Sequence, residues 1–167
     1  YEAWDQELGI QVAIKALRQD ISGDPQVLER FKQEINLARR VTHPNVCRIY
    51  DLGRHGEAGQ ECLFLSMELL AGETLAERLR REGRLEESAA RPLVLQMVEA
   101  LGAAHQAGVV HRDLKAANVV LVRDPLVEGG SRAVITDFGL AQAGADVSGS
   151  RAASTSRMAR RFSIAPA

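Results

Sequence analysis

An α+β chain of two lobes is the fold class that the sequence predicts, and three observations predict it. Short apolar runs come first: "IQVAIKAL" (10–17), "NVCRIYDLG" (45–53) and "ECLFLSMELL" (61–70). Apolar residues then recur at helical spacing up to Gly108. Two further short runs, "NVVLV" (118–122) and "AVIT" (133–136), close the ordered part. Strands followed by helices argue for segregated lobes, not an alternating parallel sheet.

Each element follows from its local pattern. In 10–17, Val12 and Ile14 share one side and Ala13 and Lys15 the other, the period of a strand. In "DPQVLERFKQEINLARRV" (24–41), Leu28, Phe31, Ile35, Ala38 and Val41 form a helical stripe. Asp24 before Pro25 reads as an N-cap and first helical residue, and His43-Pro44-Asn45 ends the helix. The polar, glycine-bearing "RHGEAGQ" (54–60) joins two strands as a hairpin loop. "GETLAERLRR" (72–81) suits a short helix. A longer one carries Leu93, Met97, Val98, Leu101, Ala104 and His105, with Pro92 in its first turn or kinking it. The runs at 118–122 and 133–136 pair as a small hairpin. Residues 141–167 are mostly Ala, Ser, Arg and Gly without apolar period, and read as loop or disorder. The expected division is a mainly β lobe at 1–70, a mainly α lobe at 71–140 and a tail at 141–167.

Composition bounds the function. A chain of 167 residues, 46% hydrophobic and 26% charged, has the balance of a globular protein. A net charge of −1 supplies no global field for nucleic acid or an anionic membrane. No apolar run approaches the roughly 20 residues of a membrane span. Cys47 and Cys62 have no metal-ligand spacing and read as reduced thiols.

Chemistry concentrates at three places. Lys15 sits inside a strand, where a lysine by itself usually points to water. Glu34 lies near the stripe of the adjacent helix and could pair with it, holding the ammonium toward an anion. "HRDLKAAN" (111–118) brings two cations, one carboxylate and one carboxamide to the mouth of an apolar strand. Asp137-Phe138-Gly139 follows "AVIT" and by itself could be a turn. Hairpin pairing, however, brings Asn118 and Asp137 close together. Carboxylate and amide oxygens are the hard ligands that Mg²⁺ takes alongside water and phosphate oxygens. Asp113 is then left to accept a hydroxyl proton, and Lys115 to neutralise charge on a moving phosphoryl group.

With these residues in this order, the sequence resembles the protein kinases, of the bacterial serine/threonine type. "VAIK" (12–15), "HRDLKAAN" and "DFG" (137–139) match the family's signature set from Tyr1 to about Ala141. The resemblance implies a two-lobed kinase fold, ATP with Mg²⁺ (or Mn²⁺) as cofactors, and a protein substrate with Ser or Thr hydroxyls. It implies that Lys15 contacts the α- and β-phosphates and pairs with Glu34. Asp113 orients the hydroxyl or takes its proton, Lys115 contacts phosphate, and Asn118 and Asp137 hold the metal. Glu68 and Leu70 would meet the adenine edge by their backbones, Met67 would guard the back pocket, and Ala13 and Val120 would sandwich the base. His111, Phe138 and Gly139 take packing and hydrogen-bonding roles, and Arg112 resembles the arginine that captures a phosphorylated activation loop. A cytoplasmic location is expected, with neither nucleic acid nor a membrane segment involved.

The resemblance is incomplete at both ends. The family's Gly-rich loop would precede Tyr1, and only Ala165-Pro166 in "ARRFSIAPA" (159–167) fits the end of its activation segment. The expected fold therefore lacks the Gly-rich loop and the later helices of the larger lobe. A pseudokinase, keeping the fold as a binding or scaffolding module, is the alternative. Intact Lys15, Asp113, Asn118 and Asp137 argue against it.

Overall fold

The computed structural model describes residues 1–16, 25–55, 62–138 and 162–164. The elements are β1 (Glu2–Asp5), β2 (Ile10–Ala16), α1 (Pro25–Ala38), β3 (Ile49–His55), β4 (Cys62–Glu68), β5 (Gly72–Thr74), α2 (Leu75–Glu82), α3 (Glu87–Gln106), β6 (Val119–Arg123), β7 (Ser131–Ile135) and β8 (Phe162–Ile164). Single 3₁₀ turns cover Ala116–Asn118 and Glu128–Gly130. The content is α+β, as predicted, and it divides into two compact units.

The first unit holds Tyr1–Asn36, Ile49–Leu69 and the late strand β8. Its sheet runs β3-β4-β2-β1-β8, antiparallel throughout. The β1–β2 turn is closed by Asp5, whose Oδ1 accepts the backbone N–H of Glu7 at 3.0 Å and of Leu8 at 3.2 Å. Gly9 completes the turn at φ 65°, a left-handed conformation that glycine adopts without a Cβ penalty. One face of the sheet buries Ala3, Val12, Ile14, Phe64 and Phe162 as a cluster. In β2 the alternation predicted from sequence holds: Val12 and Ile14 are buried, while Ala13 and Lys15 are half-buried.

The second unit holds Leu37–Arg48 and Leu70–Ala141. Its sheet runs β5-β6-β7, and α3 packs on β7. Ala100 and Ala104, one turn apart on α3, are fully buried, as are Ala133, Val134 and Ile135 on β7. Gly72 lets β5 lie close on β6: a Cβ there would come within 2.2 Å of the Leu121 carbonyl oxygen. Thr74 starts α2 with a capping box. Its Oγ1 accepts Glu77 N–H at 3.1 Å, and Glu77 Oε2 accepts Thr74 N–H at 2.7 Å. That contact holds the Glu77 carboxyl below the usual carboxylate range. Pro92 lies beyond the first turn of α3 and is buried.

Several boundaries differ from the sequence reading. Helix α1 ends at Ala38 instead of Val41, closed by Arg40 N–H to Leu37 O and Val41 N–H to Ala38 O. Asp24, its expected cap, lies outside the described residues. The strand expected from Asn45 begins at Ile49. Residues 45–47 instead bridge in parallel to β7, with Cys47 N–H on Ile135 O at 2.9 Å and Ile135 N–H on Asn45 O at 2.8 Å. Gly72–Thr74, expected as helix, is a strand, because its backbone pairs with Val120–Val122 before Thr74 caps α2. Residues 162–164, expected as part of an irregular tail, form β8 because Phe162 finds an apolar seat against β1, β2 and β4.

Candidate active site

The second unit gathers the charged loop 111–118 at one end of the β6–β7 hairpin. Register pairs Val119 with Ile135, so Asn118 and Thr136 flank the last pair. Thr136 N–H donates to Asn118 O at 2.9 Å and its Oγ1 to the same oxygen at 3.3 Å. Asp137 is the next residue, so the hairpin brings the Asn118 and Asp137 backbones together, as the sequence reading required.

His111 fixes the start of the loop. It is buried, and its Nδ1 accepts the Asp113 backbone N–H at 3.3 Å. Its Nε2 lies 2.8 Å from Thr136 O, and a carbonyl can only accept, so the ring carries its proton on Nε2. Phe138, buried too, meets the imidazole edge-on with centroids 4.6 Å apart. One histidine thus ties the loop to the strand end that carries Asp137.

Asp113 is held from two sides. Asn118 Nδ2 donates to Asp113 O at 2.8 Å and to its Oδ2 at 3.2 Å. Lys115 Nζ lies 2.7 Å from the same Oδ2. The hydrogen bond from Lys115 is the main cause that holds the Asp113 carboxyl below the usual carboxylate range, with its charge and Asn118 adding to it. The group is only half-buried, so it stays open to a partner from solution. Arg112 and Asp137 both adopt φ 65°, a left-handed conformation that costs a non-glycine residue energy and clusters at functional sites.

The donor set suits a hard divalent cation. Both Nδ2 hydrogen bonds of Asn118 run to Asp113, which turns Oδ1 to the other side of the carboxamide, and Asp137 follows Thr136, whose N–H bonds the Asn118 carbonyl. Among the described residues no three His, Cys, Asp or Glu gather into a metal cage. Mg²⁺ needs only one or two protein oxygens when phosphate supplies the rest.

The other predicted residues lie as follows. Lys15 is on β2 opposite Leu65, and Ala13 is opposite Met67 on β4. Glu34 is on α1, half-buried. Glu68 ends β4, Leu70 follows it, and Val120 is on β6, pairing with Thr74 and Val134. Gly139 lies outside the described residues, as do the serines of 148–156. Sequence reasoning missed Thr136, whose carbonyl and amide organise the loop, and the support built by Asn45 and Gln96. A polar residue closing an apolar strand was the available signal for Thr136.

The protein kinase domain profile matches residues 1–165. The chain belongs to the protein kinase family. Relatives include serine/threonine-protein kinase PknA of Mycobacterium tuberculosis, 38% identical over 86% of this chain and 32% of its own length. Serine/threonine-protein kinases PkaA and PkaB of Streptomyces coelicolor are 42% and 44% identical, over 80% and 78% of this chain and 23% and 31% of theirs. The chain spans about a third of the length of these bacterial serine/threonine kinases, or less. Protein kinases as a family use ATP and Mg²⁺ and act on proteins. Among the described residues no helix is long and apolar enough to cross a membrane.

Proposed function

We propose that this chain is the catalytic region of a serine/threonine protein kinase, moving the γ-phosphoryl group of ATP to a Ser or Thr hydroxyl of a protein. The observation that carries the reading is the grip of Lys115 and Asn118 on Asp113, next to the hairpin end that bears Asp137.

Asp113 keeps its carboxylate and accepts the substrate hydroxyl hydrogen, aiming the oxygen and then taking the proton. Lys115, already beside that carboxylate, offers its ammonium to the phosphoryl oxygens. Asn118 and Asp137 hold Mg²⁺, whose chemistry there is neutralisation of phosphate charge. His111 and Phe138 keep the loop and Asp137 in place. Lys15 with Glu34 serves the α- and β-phosphates, and Ala13, Met67, Glu68, Leu70 and Val120 serve the adenine. A cytoplasmic site of action, where ATP is abundant, follows from this chemistry.

Equilibrium titration of ATP with and without Mg²⁺ tests the metal assignment. The wild type is expected to bind more tightly with Mg²⁺, and Asp137→Asn to lose at least about tenfold of that gain, about 1.4 kcal/mol. Equal Mg²⁺ dependence in the variant would remove Asp137 from the metal role.

A further inference from the structure

Strand β7 is the last element before Asp137, and among the described residues it ends its sheet, with β6 on one side only. The ladder to β6 runs out to Thr136 N–H on Asn118 O at 2.9 Å. The main-chain groups of Ala133 and Ile135 and the Ser131 carbonyl face the other side. Ala133 and Ile135 are fully buried, so their amides and carbonyls need partners there.

Three partners take that row in turn. Ile135 N–H donates to Asn45 O at 2.8 Å, and Ile135 O accepts Cys47 N–H at 2.9 Å, the bonding of one residue in a parallel ladder. Ala133 O accepts Asn45 Nδ2 at 2.8 Å. The third partner is a side chain of α3. Gln96 Oε1 accepts Ala133 N–H at 2.8 Å, and Gln96 Nε2 donates to Ser131 O at 3.1 Å. One carboxamide thus spans the carbonyl before Arg132 and the amide after it, as a residue of a parallel strand would. Asn45 Nδ2 also donates to Gln96 Oε1 at 2.8 Å, which joins the pieces. The carboxamide has one workable orientation, because turned over its NH₂ would face the Ala133 and Asn45 donors.

We propose that Gln96 is a positioning residue for Asp137. Its carboxamide fixes β7 along its outer side, and so fixes where the Asp137 carboxylate stands beside Asn118. The inference rests on the reading of Asp137 as a holder of Mg²⁺. A strand bonded on one side alone can twist about that side, and bonds at Ser131 and Ala133 on the second side remove that freedom. Helix α3 is a firm base for them, since Ala100 and Ala104 are fully buried and the helix packs on β7. Asp137 lies two residues beyond Ile135 at φ 65°, a conformation that its surroundings must impose. Groups that hold a metal or substrate need such support to within about 0.5 Å.

The test uses protein that carries this catalytic region, with Gln96→Met and Gln96→Glu beside Asp137→Asn. Met keeps the length and removes both hydrogen-bonding groups. Glu keeps the acceptor for Ala133 N–H and sets an oxygen against Ser131 O, so it reports even if Gln96→Met fails to fold. Three quantities are measured below the melting range: exchange of the Ala133 amide, ATP affinity without Mg²⁺, and the gain in ATP affinity on adding Mg²⁺. Gln96→Met is expected to lower Ala133 protection about tenfold or more. Both Gln96 variants are expected to keep the Mg²⁺-free affinity and to lose about threefold or more of the Mg²⁺ gain. An undiminished gain in either folded variant, with Asp137→Asn losing it, would overturn the proposal and leave the metal reading standing. Equal losses with and without Mg²⁺ would mark a merely structural role and overturn it too. Asp137→Asn with its full Mg²⁺ gain would overturn the metal reading and the proposal together.

Discussion

Asp113 illustrates how one contact sets a titration. Its carboxyl is pulled down first by the Lys115 hydrogen bond. A lowered pKa in the fold means stabilisation that is complete above the ordinary aspartate value, near 3.9, and lost as pH falls through the lowered one. The same shift keeps the base form available through mildly acidic pH. Lys115→Met is therefore expected to raise the Asp113 titration midpoint, read by carboxyl-carbon NMR. An unchanged midpoint would show that Lys115 does not set it. The charged residues of this loop were legible in the sequence because they stand in the order of the kinase signature set. Thr136 was not, since it acts through its backbone, and backbone roles leave little trace in residue identity.

Among the elements, the connection after α1 is the clearest case of tertiary override. The run from Asn45 has strand composition, yet Asn45 works as a polar anchor. Its Nδ2 donates to Ala133 O and to Gln96 Oε1, both at 2.8 Å. Gln96 Oε1 also accepts Ala133 N–H at 2.8 Å, and its Nε2 donates to Ser131 O at 3.1 Å. Arg132 reaches back to Pro44 O. Asn45 is 6% exposed, so Asn45→Ala leaves buried acceptors unpaired and is expected to cost about 1–3 kcal/mol. Urea denaturation checks this, and a loss under about 0.5 kcal/mol would contradict it. The elements β2, α1 and α3 were readable from period, and β6 and β7 from short apolar runs. The strands β1, β5 and β8, of three or four residues, were not. Their existence depends on a partner strand, and in β8 on a partner at the far end of the chain.

At the scale of the whole molecule, each of two units carries part of the kinase signature set. The first is a sheet that presents Lys15, and the second a loop and hairpin that present Asp113, Lys115, Asn118 and Asp137. The α+β class was legible because period marked β2 and the helices and apolar runs marked the other main strands, and the kinase signature set because its residues stand in order. The assignment of Leu37–Arg48 to the second unit was not, because it rests on hydrogen bonds between residues some 50 to 90 positions apart. The most direct measurement is transfer of labelled γ-phosphate from ATP to a mixed Ser/Thr acceptor peptide library, using protein that carries this catalytic region. Wild type is expected to yield phosphoserine and phosphothreonine, and Asp113→Asn to lose about 10²–10⁴-fold in kcat, with ATP binding retained. Equal transfer by Asp113→Asn, or wild-type protein that binds ATP but transfers no phosphate, would contradict the account.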